Sequence, residues 1–142
     1  MEILSPSILK NITLPLYATK ISCGFPSPAE DYLEAKLDLN EKLIQRPSST
    51  FLLKAEGDSM TNAGIFNNDL LVVDKSIKPQ HGHIIVAVVN GEFTLKRLVF
   101  RFPKTILQPE NPKFKPLEIT AEMNFEVWGV VTHTIHGFLK ND

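Results

Sequence analysis

A chain of 142 residues carrying 15 basic and 16 acidic side chains, net charge −1, has the size of one domain and lacks the basic excess of a phosphate-backbone binder. One cysteine excludes an internal disulfide and points to a reducing compartment, and no apolar run approaches the roughly 20 residues of a membrane span. The opening residues, MEILSPSILKN, lack the charged leader and apolar stretch of a secretory signal, so the expected location is the cytoplasm.

In chain order, residues 1–29 hold Pro6, Pro15, Pro26 and Pro28, a density that forbids a long helix and disfavours a central strand. This region is expected to be an arm, extended in places. SPAEDYLEAKLDLNEKLI then has helical pieces: Ser27 suits an N-cap, Pro28 the first helical position and Glu30 the closing position of a capping box. From Pro47 onward the pattern turns to strands. TFLLKAE (50–56), DLLVVD (69–74), HIIVAVVN (83–90), EFTLKRLVF (92–100), TILQP (105–109) and FEVWGVVTHTI (125–135) are rich in β-branched and other apolar residues. Turn formers separate them, and Asn90-Gly91 between two such runs predicts a tight hairpin. The expected fold is mainly β: a compact antiparallel domain with a short helical segment and an N-terminal arm.

The stretch KAEGDSMTNAG (54–64) breaks the strand pattern. Gly57-Asp58 reads as a turn, and 59–63 as one helical turn closed by Gly64. Ser59 at its start suits two roles. It, or Asp58, caps the turn, or it sits beside outward-pointing backbone N–H groups as an oxyanion site requires. No histidine selects itself as a base. His81 and His83 share a strand face, as some metal sites do, while His133 and His136 point apart, and neither pair has an evident carboxylate partner.

Lys96 stands inside an apolar run. Strand alternation places it with Thr94, Leu98 and Phe100, and places Arg97 with Phe93, Leu95 and Val99. Two adjacent basic residues there cannot both face solvent, unless they are edge charges that block aggregation. An exposed lysine is neutral in about one part in a thousand near neutral pH, a handicap of roughly 4 kcal/mol. Partial burial lowers its pKa and makes the amine a usable base.

CGFPSPAEDY, GDSM and HGHIIVAVVNGEFTLKRL, in that order, and VWGVVTH at 127–133, resemble the LexA/UmuD family of self-cleaving Ser/Lys peptidases. The 37-residue interval from Ser59 to Lys96 is similar to that of the family. The resemblance implies a LexA-like β domain in which Ser59 is the nucleophile, Lys96 the general base, and the backbone N–H groups of Ser59 and Met60 the oxyanion donors. It implies a cut at Cys23-Gly24, with Cys23 as substrate, and no metal or cofactor. The small side chain of Cys23 and the bare Gly24 allow close approach, and Pro26 and Pro28 favour an extended segment. The implied organisation is a cleavable arm over 1–23, a linker with short helices over 24–46, and a peptidase domain over 47–142. The resemblance further implies an SOS-response role. A RecA filament on single-stranded DNA triggers the cut, and the shortened body, as a homodimer, joins a UmuC-like Y-family polymerase for error-prone translesion synthesis. The 23 residues before Gly24 are too few for the helix-turn-helix of a repressor, so sequence-specific DNA binding is not expected.

Other readings compete. Signal peptidases also use a Ser-Met motif with a lysine base, but they need membrane anchorage. A non-catalytic interaction domain, with an arm that regulates partner binding and Ser59 as a cap, predicts no cutting. Direct DNA binding predicts steep salt dependence, against the near-neutral charge.

Overall fold

The computed structural model describes residues 3–4, 12–17, 20–24 and 33–139. Contacts divide the chain into two compact units, Ser7–Gln45 and Met1–Pro6 with Arg46–Asp142.

The smaller unit contains β2 (Thr13–Tyr17), β3 (Leu33–Asp38) and α1 (Leu39–Leu43). β2 and β3 pair antiparallel, Leu14 opposite Leu37 and Leu16 opposite Ala35. The helical reading of residues 33–38 is therefore corrected. Positions 33, 35 and 37 are apolar at period two, and a partner strand outweighs the modest helix propensity of Leu, Glu, Ala and Lys. The helix begins only where Asp38 accepts from the Asn40 N–H at 2.9 Å, a side-chain cap. The expected cap at Ser27, with Pro28 and Glu30, lies outside the described residues.

The larger unit is one antiparallel sheet. Its strands are β1 (Ile3–Leu4), β4 (Thr50–Lys54), β5 (Leu70–Asp74), β6 (Ile84–Val89), β7 (Glu92–Arg101), β8 (Lys104–Gln108), β9 (Leu117–Glu118) and β10 (Phe125–Ile135), in the order β1-β4-β5-β10-β6-β7-β8-β9. The mainly β, antiparallel, LexA-like architecture implied by the sequence is the one observed. All six long apolar runs became strands. Asn90 and Gly91 take φ of 49° and 82°, the paired positive values that a two-residue type I′ turn between β6 and β7 demands.

Both faces of the sheet are packed. Val86 and Leu95 join Leu53, Met60, Ile65, Leu71 and Val73 in one cluster, while Ile85 and Ala87 join Leu98, Leu107 and Val130 in another. The alternation along β6 follows from the period of two. Central β10 breaks register between Val127 and Gly129, a bulge that puts Trp128 against Phe51 and Phe93. A Cβ on Gly129 would lie 2.5 Å from Val73 Cγ1, so no larger residue fits this approach of β10 to β5.

At the head of this unit, buried Asp74 gathers the connecting segment. It accepts from Arg46 Nε at 2.7 Å, Ser49 Oγ at 2.9 Å, and Ser76 N and Oγ at 2.8 and 2.7 Å. Burial alone raises its pKa. The Ser76, Arg46 and Ser49 hydrogen bonds outweigh burial and hold the carboxyl down at about 2.

Candidate active site

β4 ends at Lys54, and the chain turns before β5. Ala55 exchanges backbone hydrogen bonds with this turn's far end, donating to Asp69 O and accepting from Asn68 N, both at 2.8 Å. Met60, 2% exposed, pins the turn into the core. Thr61–Ala63 form a single 3-10 turn closed by Gly64 at φ 83°, where the sequence places a helical turn. No side chain caps it, so the capping role for Ser59 or Asp58 is not the one adopted. The Ser59 and Met60 N–H groups have no hydrogen-bond acceptor among the described residues.

Lys96 comes to Ser59 from β7, where it pairs with fully buried Ile85. Its Nζ lies 3.3 Å from Ser59 Oγ, 2.8 Å from Thr94 Oγ1 and 3.1 Å from the Leu95 carbonyl oxygen. Burial pushes the Lys96 pKa below the ordinary lysine value, because desolvation penalises the ammonium more than the amine. Three acceptors around one nitrogen suit either protonation state. As an ammonium, Lys96 donates to all three. As a neutral amine it keeps two N–H bonds and one lone pair. The Leu95 oxygen can only accept and Thr94 Oγ1 takes the second N–H, which leaves the lone pair for the Ser59 hydroxyl. That is the hydrogen-bond pattern of a general base holding a nucleophile.

Arg97, next in the chain, goes elsewhere. Its Nε donates to Glu110 Oε1 at 2.6 Å and its Nη1 to the Gly82 carbonyl at 2.5 Å. The two cations are thus not a matched pair of edge charges. One cation faces a hydroxyl and the other a carboxylate.

A cavity of about 150 Å³ opens over the pair, lined by Ala55, Gly57, Ser59, Phe93, Thr94 and Lys96 among others. A second hollow of about 430 Å³ shares Phe93 and Thr94 and reaches Asn90 and Leu117. Both follow one edge of β7. β8 pairs with β7 only from Arg97 to Arg101, so among the described residues Glu92–Lys96 has a strand partner only in β6. A strand edge beside a hydroxyl is where an extended peptide can pair.

The histidines stand apart. His81 Nδ1 accepts from Phe100 N of β7 and His83 Nδ1 from Gln80 N of its own loop, so each ring is already engaged away from Ser59. Among the described residues no three His, Cys, Asp or Glu side chains are grouped to hold a metal ion. The partner that the sequence did not suggest is Asp69, 2% exposed, which pairs with His136 Nδ1 and accepts from Thr134 Oγ1. Cys23 is a free, exposed thiol, and it and Gly24 lie outside any strand or helix.

Sequence reasoning placed Thr94 on the Lys96 face without giving it a role, although residues i and i+2 of a strand share a side. Nothing in the local sequence pattern marks Glu110 or Asn111 as neighbours of the Ser59 turn.

The Peptidase S24-like family matches residues 15–132. The chain belongs to this family of peptidases. Protein ImpA of Salmonella typhimurium is 52% identical over 124 residues, covering 86% of this chain and 83% of the relative. Protein MucA of Escherichia coli is 43% identical over 124 residues, 87% and 84% of the two chains. The LexA repressor of Bordetella avium is 35% identical over 133 residues, 90% of this chain and 62% of the repressor. ImpA and MucA are UmuD homologues, so the LexA/UmuD resemblance read from the motifs holds across most of the S24-like chain. No described helix is long and apolar enough to cross a membrane.

Proposed function

We propose that this S24-like peptidase is a self-cleaving serine endopeptidase of the DNA-damage (SOS) response that cuts its own Cys23-Gly24 bond. In this reading neutral Lys96 takes the Ser59 proton as Oγ bonds to the Cys23 carbonyl carbon. The N–H groups of Ser59 and Met60 receive the developing oxyanion. The Cys23–Gly24 C–N bond then breaks, and the Gly24 nitrogen takes the proton back from Lys96. Water hydrolyses the Ser59 ester and leaves an arm of residues 1–23 and a body of residues 24–142. The body comprises the linker over 24–46 and the peptidase domain over 47–142. The observation that carries the reading is the Lys96 amine, 3.3 Å from Ser59 Oγ, with its other two hydrogen-bond partners already supplied. The relatives' identity supports the wider role: a cytoplasmic protein, triggered by a RecA filament, whose dimeric body serves a Y-family polymerase in translesion synthesis.

Incubation of the full chain across neutral to alkaline pH, read by intact mass, tests the chemistry. The expected products divide at 23/24. The rate rises with pH as Lys96 loses its proton and levels once the amine is neutral. Ser59→Ala and Lys96→Ala are expected to cut at least about a thousandfold more slowly. Cutting by either variant at the wild-type rate, or at another bond, sinks the assignment. No cutting at any pH favours the non-catalytic interaction domain.

A further inference from the structure

The turn that carries Ser59 is held from outside by one short segment. Glu110 N donates to Ser59 O and Asn62 N donates to Glu110 O, both at 2.8 Å, so one residue brackets the turn on either side of Met60. Asn111 Nδ2 donates to Asp58 O, also at 2.8 Å. The side chain of that same Glu110 is bound by Arg97, which Gly82 O anchors at its other end. Arg97 is covalently next to Lys96, one Cα step of about 3.8 Å away. A short circuit therefore runs from the amine, through the peptide bond to Arg97, across an ion pair to Glu110, and through two backbone hydrogen bonds to the serine's turn. The pair is neither free in water nor sealed: the side chains of Arg97 and Glu110 are 32% and 28% exposed. At that exposure solvent screens its contribution to stability, so its worth lies in geometry.

We infer that Glu110 and Arg97 are positioning residues for the proposed Ser59–Lys96 dyad, tying the nucleophile's turn to the strand that carries the base. The inference rests on that reading of the dyad and adds a device that holds its spacing. Buried Met60 seats the turn in the cluster that also holds Leu95 of β7, and the turn's internal bonds, Ala63 N to Met60 O and Gly64 N to Thr61 O, fix its shape, while the Glu110 tie grips the Ser59 backbone itself. Proton transfer between Oγ and Nζ needs a short contact, and the observed 3.3 Å leaves little slack. A misplacement of about 1 Å is enough to slow a reaction of this kind by about a hundredfold. The Glu110 carboxylate is the part a mutation can remove while the backbone bonds to Ser59 and Asn62 stay chemically available. Arg97 is not exchangeable for lysine here, because its fork serves Glu110 and Gly82 together.

The test compares full-length Glu110→Ala, Glu110→Gln, Arg97→Ala and the Arg97→Ala/Glu110→Ala double variant. Cleavage is followed by intact mass over neutral to alkaline pH, and amide hydrogen exchange is measured on the same substitutions in a Ser59→Ala background. The Ala variants are expected to reach a plateau rate about ten- to a hundredfold below wild type with the pH midpoint unmoved. Glu110→Gln falls between them and wild type. The double variant is no slower than the slower single one, because both substitutions open the same circuit. The Asn62 and Glu110 amides exchange faster in each. Wild-type cutting by Glu110→Ala or Glu110→Gln overturns the inference. So do losses that multiply in the double variant, or a shifted midpoint with an intact plateau, which marks an electrostatic rather than a positional role. If an Ala variant does not fold, Glu110→Gln, which keeps the residue's shape, decides. Cutting by Ser59→Ala or Lys96→Ala defeats the dyad itself. The exchange measurements do not depend on cutting and report on the circuit in either case.

Discussion

β2 and β5 are both five-residue apolar strands, TLPLY and LLVVD, yet they live differently. Every residue of β2 is exposed, with Leu14 at 51% and Tyr17 at 52%, whereas four of the five in β5 are buried. Composition does not separate them; company does. β5 has strands on both sides, sends Leu71 and Val73 into the core and buries Val72 between them, while among the described residues β2 pairs only with β3 and carries Pro15, which has no N–H to donate. Stability is thus concentrated in the eight-stranded sheet. The proposed scissile bond falls in the sequence between β2 and β3, so a cut leaves β2 with the arm and β3 with the body, parted across a ladder with little burial behind it.

The contrast can be broken by denaturant titration in a Ser59→Ala background. Leu71→Ala, which empties a fully buried site in the sheet, should cost about 3–5 kcal/mol. A loss near zero would remove the sheet from its place as the seat of stability. Next comes acid. Asp74 titrates at about 2 in the fold and near 3.8 when unfolded, so its contribution is complete above pH 3.8 and disappears as pH falls through 2. That difference is worth about 2 kcal/mol, and Asp74→Asn should lack this acid-dependent step in Tm against pH. The smallest effect belongs to the hairpin. Leu14→Ser should change stability by less than about 0.5 kcal/mol, and a loss approaching that of Leu71→Ala would show that β2 has cover after all.

Most of the sheet was readable because its signals are local. Period-two runs, the Asn90-Gly91 turn and the Gly64 stop each act within a few residues. The 37-residue step from Ser59 to Lys96 was readable only through family resemblance, since no periodicity spans it. What escaped lies further apart still. Asn111 reaches Asp58 across 53 positions and His136 reaches Asp69 across 67, contacts made by strand order and not by local pattern. Residues 33–38 misled because Leu, Ala and Lys favour a helix in isolation, and only a distant partner, β2, makes them a strand.

The crowding around Nζ has a thermodynamic meaning. A lysine in water spins through many rotamers, and arresting one costs up to about 2 kcal/mol of entropy. Thr94 and the Leu95 carbonyl impose that arrest while the chain folds, long before any bond is broken. Alkali can strip the proton from any lysine on the surface, but it cannot aim the bared electron pair. In the proposed dyad the aim is set in advance, and only the proton has to leave.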